Sequence, residues 1–440
     1  MENLIKEGTS TGTTITFKGT EKVSDGGVSV DTQIFAGGLE SVYDRGSSKG
    51  TIIHTDGAED VGNRGKSSGT TIDGGVQNVD AGGKSDLTTI NAGGVENVER
   101  GGLSGSATIK AGGFENVQGG GKAAHVTIDG GVENVRSGGA ATNTNILHGG
   151  VENVESGGTS TSAVIDAGGV ENVQNGGKAD LATINAGGVE NVHGAANLTT
   201  ISGGVENVYG TGTRTTIREG GVENVESGGT ASDTRILHGG VENVRADGTV
   251  TRTTIDGGVE NVYGVATRST IDNGGVQNVY GVADNTAINH GSSQNVYGVA
   301  SHTTIVNGSH QNVYGVASQT TIAQGGVEQV LSGGAANGVT FAGTDSTLQL
   351  AAPSGLTGAI IGWRVGDVVD FVNTALTGVQ KTGDALTVTY GNQTASYRIV
   401  GQQADTEFKL QSDGHGGTDL ILTPLVGVQQ VHEAHHHMVV

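Results

Sequence analysis

The hexapeptide Gly-Gly-Val-Glu-Asn-Val, repeated in register, constrains this chain more than any other feature. It is nearly complete at Gly74-Gly75-Val76-Gln77-Asn78-Val79 and recurs with small edits to Gly325-Gly326-Val327-Glu328-Gln329-Val330. Degenerate copies reach back to Lys18-Gly19-Thr20-Glu21-Lys22-Val23. Eighteen closing valines, from Val23 to Val330, lie 16 to 19 residues apart. A repeat this short cannot bury its own apolar face, so neighbouring copies must stack to make a core.

Composition sharpens the choice of repeat architecture. Among 440 residues there are 81 Gly and only 2 Pro, which excludes the Gly-X-Y triple helix. Apolar residues recur in register, as a disordered chain has no reason to keep them. The net charge of −22 argues against nucleic acid as a partner, because that affinity comes from Lys and Arg on phosphates. Cysteine is absent, which removes disulfides and thiolate chemistry. No stretch is long and apolar enough to cross a bilayer as a helix, so a membrane-embedded protein is not expected. The segment Met1–Thr14 lacks an apolar run of signal-peptide length. A processed piece, or export without a cleaved leader, is the expectation.

One unit runs from Thr88-Thr89-Ile90 through Val95-Glu96-Asn97-Val98 to Gly101-Gly102. Both apolar segments read as short strands and each is followed by a glycine corner. No window has helical apolar spacing, and helices tolerate this much glycine poorly. The expected fold is all-β, a parallel β-helix of about eighteen short rungs over residues 1–343. Stacked at about 4.8 Å per rung, these would extend roughly 85 Å. The inward set is expected to be the isoleucines Ile72 to Ile322 with both valines of each hexapeptide. Because those valines are three residues apart, a bend or bulge inside Val-Glu-Asn-Val is expected to turn both inward. From Val262 the spacing tightens to 17 and the second corner becomes Tyr-Gly-Val-Ala, so shorter rungs are expected there. Residues 346–424, which hold the single Trp363, read as a small β-domain capping the stack. Residues 425–440, with His432, Glu433 and His435-His436-His437, read as a mobile tail.

Stacking turns each repeated residue into a column. Asn97, Asn116, Asn134, Asn153 and Asn172 belong to a run of fourteen asparagines expected to hydrogen-bond from rung to rung as a structural ladder. The preceding position is glutamate in ten successive copies, including Glu133, Glu152 and Glu171. Like charges at this spacing repel by roughly 0.9 kcal/mol per neighbour in water, so the row is expected to be well solvated or neutralised by calcium. The threonines Thr89, Thr108, Thr127, Thr183 and Thr200 precede the rung isoleucines and are expected on an outer face. They offer a self-association or ligand face, as do Tyr263, Tyr280, Tyr297 and Tyr314, which follow closing valines. Gly414–Leu422 partly matches one calcium-binding nonapeptide and makes Asp419 a candidate ligand. No nucleophile elbow, zinc-binding helix or phosphate loop is present, and a repeated carboxylate offers no unique catalytic site, so no enzyme is expected. No cofactor is expected apart from the candidate calcium.

Units of the form Thr-Thr-Ile-x-x-Gly-Gly-Val-Glu-Asn-Val-x-x-Gly-Gly-x-Ala resemble the strand-loop-strand repeats of self-associating autotransporter adhesin passengers of the AIDA and TibA type. The resemblance covers about Ile15 to Gly343. It implies a right-handed parallel β-helix at the bacterial cell surface or outside the cell. It further implies adhesion, self-association and biofilm formation by lateral or end-to-end pairing. O-glycosylation of residues such as Thr89, Thr108 and Thr127 is implied as well. The translocator barrel of typical members has no counterpart here, and the segment Gly366–Phe371 looks like the end of barrel-less secreted relatives. The partners expected are other copies of the chain and host or bacterial surface glycans. A polysaccharide-binding or polysaccharide-cleaving β-helix and a calcium-binding secreted module are the alternatives.

Overall fold

A computed structural model describes residues 2–425, divided into two compact units, Met1–Ala266 and Thr267–Val440. Residues 426–440, where a mobile His-rich tail is expected, lie outside the described residues.

The first unit is an all-β parallel solenoid. A representative turn has three strands, Val95–Val98, Leu103–Gly105 and Thr108–Lys110. Each lies parallel and in register with its equivalents in the turns before and after. Val95 is flanked by Val76 and Phe114, Leu103 by Lys84 and Lys122, and Ile109 by Ile90 and Ile128. The repeat string shows two strands per turn; the middle one, Leu103–Gly105, is hidden because its sequence reads as an extension of the glycine corner. Between the second and third strands the chain passes through one left-handed residue, Leu87 at φ 58° or Ser106 at φ 54°. Such a conformation costs about 1–3 kcal/mol for a residue with a side chain. Hydrogen bonds to the next turn hold it, Leu87 N–H to the Gly105 carbonyl and Ser106 N–H to that of Ala124, both 2.9 Å.

The two glycines of a corner do different jobs. Gly101 supplies a left-handed φ of 84°, whereas Gly102 has no room for a side chain. A Cβ on Gly102 would sit 2.1 Å from the Val79 carbonyl oxygen of the preceding turn. Where the corner shrinks to two residues, as at Tyr297-Gly298, both N–H groups donate to the Val279 carbonyl, at 2.8 and 2.9 Å. This accounts for the 17-residue spacing.

The core differs from the expected one. Val-Glu-Asn-Val strands contain no bend and alternate strictly, so the glutamate and the closing valine point inward while the opening valine and the asparagine point outward. Glu96 and Val98 are fully buried, whereas Val95 is half-buried. The inward set is therefore the glutamate, the closing valine, the rung isoleucine and two small positions such as Ser104 and Ala107. Each buried isoleucine contributes about 1.5–3 kcal/mol through apolar burial.

The second unit has the same parallel register. Strands Val276–Val279, Ser293–Val296, His310–Val313 and Val327–Val330 follow one another in the ladder that contains the inward Gln or Glu. The coil does not stop at 343: Thr347–Leu350 and Val368–Phe371 continue the same ladder, with Leu348 and Val369 at the inward position. In the first unit it likewise begins before the first legible repeat, with Glu2–Lys6 beside Thr20–Ser24. Val368–Phe371 then pairs antiparallel with Thr418–Pro424, and Ala359–Ile361 pairs with Gln393–Val400 of a three-stranded meander. Trp363, fully buried, packs against Phe341 and Phe408 beneath these hairpins.

Candidate functional site

A solenoid exposes columns, and three of them face outward. On the Glu-bearing strands, Asn97 donates its amide to Asn78 at 3.0 Å and Asn116 donates to Asn97 at 3.1 Å. The chain continues through Asn134, Asn153 and Asn172 at 3.0–3.1 Å. From Asn97 to Asn153 each amide donates one N–H to the turn before and accepts one from the turn after, so the column bonds to itself. Thr89, Thr108 and Thr127 occupy adjacent turns, half-buried on the outer face, as do Thr183 and Thr200. They form short flat patches, interrupted where Asn145 and Val164 replace threonine.

The tyrosines project further. In the first unit Tyr263 is 49% exposed. In the second, Tyr280, Tyr297 and Tyr314 stack face to face, with centroids 4.9 and 4.8 Å apart and ring planes within 9°. Val282, Val299 and Val316, exposed beside them, widen the strip. Tyr297 has a ring on each face, so the column presents ring edges and hydroxyls outward.

The glutamate row is not a solvated face. Glu133, Glu152 and Glu171, like Glu96 and Glu115, have no exposed surface, and each lies in register with the glutamate of the next turn. The expectation failed because it placed both valines inside; period-two alternation with the closing valine buried carries the glutamate inward too. Their surroundings are serine, threonine, alanine and valine. Glu59 is well supplied, accepting from Ser67 at 3.2 Å, Thr70 at 3.3 Å and the Gln77 amide at 2.7 Å. Further along, donors thin out: Glu96 accepts from Ser104 at 3.4 Å and Glu133 from Thr144 at 3.4 Å. Neither oxygen of Glu115, Glu152 or Glu171 has a hydrogen-bond partner. Ser160 approaches Glu152 and Glu171 closely enough to favour their ionised forms somewhat, but not in hydrogen-bonding geometry. Desolvation pushes every member from Glu96 to Glu242 upward, and for most the neighbouring glutamates push further. Glu115, Glu171 and Glu223 are raised to about 7, with desolvation the leading cause and, for Glu223, the charge of Glu260 adding to it.

The inward hydroxyls were missed in the sequence. They lie 8 to 11 residues from the glutamate they face, as Ser67 and Thr70 do from Glu59. The signal was there, a Ser, Thr or Ala recurring at fixed distance from each hexapeptide.

Asp419, the other candidate calcium ligand, faces Asp370 across an antiparallel pair. Burial raises both carboxyls, and the charge of Asp413 raises them further. Asp413 itself is held low by the backbone N–H groups of His415 and Gly417, at 2.7 and 2.9 Å, which close the Gly-rich loop on its own aspartate. Among the described residues no group of three or more His, Cys, Asp or Glu is arranged to hold a metal ion. No helix among them is long and apolar enough to cross a membrane.

A scan against protein-family models finds no match, and a search of curated proteins finds none. Among solved structures the chain is similar to the crystal structure of a TibC-catalysed, hyper-glycosylated TibA55-350 fragment. The two share 32% sequence identity at a TM-score of 0.53, over 64% of this chain and 98% of that one.

Proposed function

This chain belongs to the repeat family of TibA-like autotransporter adhesin passengers, and from that premise we propose that it is a non-catalytic adhesive solenoid, secreted or displayed at the bacterial surface. The observation that supports this most is the match along nearly the whole of the TibA fragment, at an identity high enough to carry the repeat itself. A periodic fold of this kind presents the same chemistry turn after turn, which suits weak contacts summed over a long face.

Self-association through the tyrosine–valine strip is the finer reading. Rings that cover one another leave few faces for a sugar to stack on, whereas a ridge of edges, hydroxyls and valines suits the flat face of a second copy. The wild-type chain is expected to associate in a concentration-dependent way in sedimentation, and replacing Tyr280, Tyr297 and Tyr314 together by Ser to abolish that association while leaving the circular dichroism spectrum unchanged. A wild-type chain that stays monomeric across salt and calcium concentrations would contradict the reading.

The glycosylation named for the TibA fragment extends to this chain as a proposal. The acceptors favoured by access are the exposed Thr159, Thr211, Thr230 and Thr249, ahead of the half-buried Thr89, Thr108 and Thr127. Peptide mapping after co-expression with a glycosyltransferase tests the order; modification confined to the half-buried column would overturn it. The antiparallel hairpins after Phe371 are read as a cap on the coil's last strands.

A further inference from the structure

We propose that the inward glutamates of the first unit are neutral carboxylic acids, so that a file of bound protons is part of the folded core and the coil loosens as those protons leave. Three features of the core carry this. From Glu96 to Glu242 each glutamate is fully buried and in register with its neighbours, so no side chain can swing out to water without breaking its turn. There is also no counter-charge. The buried residues of acidic or basic type between 2 and 266 are all glutamates. Facing them from the short strand are residues such as Ser104, Ser160 and Ala179, from the arc before the isoleucine Thr144 and Thr199, and from the other walls valine and isoleucine. The titratable groups that act on each column member are thus the glutamates above and below it.

Hydrogen-bond counting gives the third. An ionised carboxylate only accepts, so a column of them sets acceptors against acceptors. The oxygens of Glu115, Glu152 and Glu171 have no donor in hydrogen-bonding geometry, with only the hydroxyls of Ser104 and Ser160 close by. A carboxylic acid carries that donor itself, and its O–H can reach the carboxyl of the adjoining turn. The chain shows the neutral version of the same geometry where the position is glutamine. Gln294 donates to Gln277 and Gln311 to Gln294, each at 2.7 Å, and within the first unit Gln77 donates to Glu59 at 2.7 Å. Per glutamate, folding at neutral pH takes one proton from water onto one carboxylate oxygen and nothing else changes hands.

The sign follows from burial. These carboxyls hold protons more tightly folded than unfolded, so the fold is favoured most below the ordinary glutamate range. The advantage is lost as pH rises towards and through the raised folded values, about 7 for Glu115, Glu171 and Glu223. Each proton so linked changes the unfolding equilibrium by up to roughly tenfold per pH unit.

The test is infrared spectroscopy of the full chain at pH 7, in the carbonyl region of protonated carboxyls, on wild type and on Glu152→Gln/Glu171→Gln. Glutamine already occupies this column, so the variant is expected to fold. A protonated-carboxyl band in the wild type, weaker in the variant and fading between pH 7 and 9, supports the proposal. A wild type whose glutamates are all ionised at pH 7, with or without bound sodium, potassium or calcium, overturns it, and that reading needs no variant.

Discussion

One inward position is glutamate through ten consecutive turns of the first unit, Glu96 to Glu260, and glutamine through three turns of the second, Gln277 to Gln311. Backbone register, burial and side-chain length are the same in the two regions. What differs is how each column satisfies itself. A glutamine has a donor and an acceptor at its tip, so Gln277, Gln294 and Gln311 bond to one another, and Thr303 adds a hydroxyl to Gln294 at 3.3 Å. Glutamates need a proton for the same ladder. The first region's stability is therefore tied to pH turn after turn, whereas the three glutamine turns add no titrating group, and the dependence returns only at Glu328, in register with Gln311 and raised to about 8 by burial.

The sharpest way to break this comparison is to make the first region resemble the second. Glu115→Gln, Glu171→Gln and Glu223→Gln lie at separate turns, each replacing a carboxyl raised to about 7 from 4.5. If they act independently, the triple variant is more stable than wild type at pH 8 by up to roughly 10 kcal/mol and nearly unchanged at pH 4.5. Urea midpoints at the two pH values read this directly. The reverse graft, Gln294→Glu, is expected to lose about 3 kcal/mol at pH 8, by analogy with Glu171, and little at pH 4.5. A smaller effect bounds the outer ladder: Asn153→Ala removes the bonds to Asn134 and Asn172 and should cost about 1–2 kcal/mol equally at both pH values. Equal pH dependence for all three would show that the inward column is not the titrating element.

Much of the fold was legible in the repeat string, and the misses share a physical cause. Turn length, glycine corners and the asparagine column follow from strict spacing and from residue types that have few alternatives. The shortened turns were visible because Tyr-Gly replaces a four-residue corner. Inwardness was not visible for Glu96, because hydropathy sends valine inside and glutamate outside, whereas the pleat admits only one of each alternating pair. The carboxyl enters the core because the closing valine does. Leu103–Gly105 was missed because a strand of Leu, Ser and Gly, with Lys-Ser-Asp and Lys-Ala-Ala in the turns beside it, carries almost no local β-preference. The turns over Thr347–Phe371 were missed because backbone register persists after the sequence motif has decayed. The outer tyrosine strip was legible as a column, but not as a stack that hides its own ring faces.

Amide hydrogen exchange on the intact chain, corrected for intrinsic pH dependence, tests the central contrast within one molecule. Protection of the strands between Val95 and Val244 should fall steadily from pH 5 to pH 8, while that of Ser293–Val296, flanked in the column by Gln277 and Gln311, changes least. Parallel behaviour of the two regions, or a first region whose protection rises with pH, would contradict a core held together by protonated glutamates.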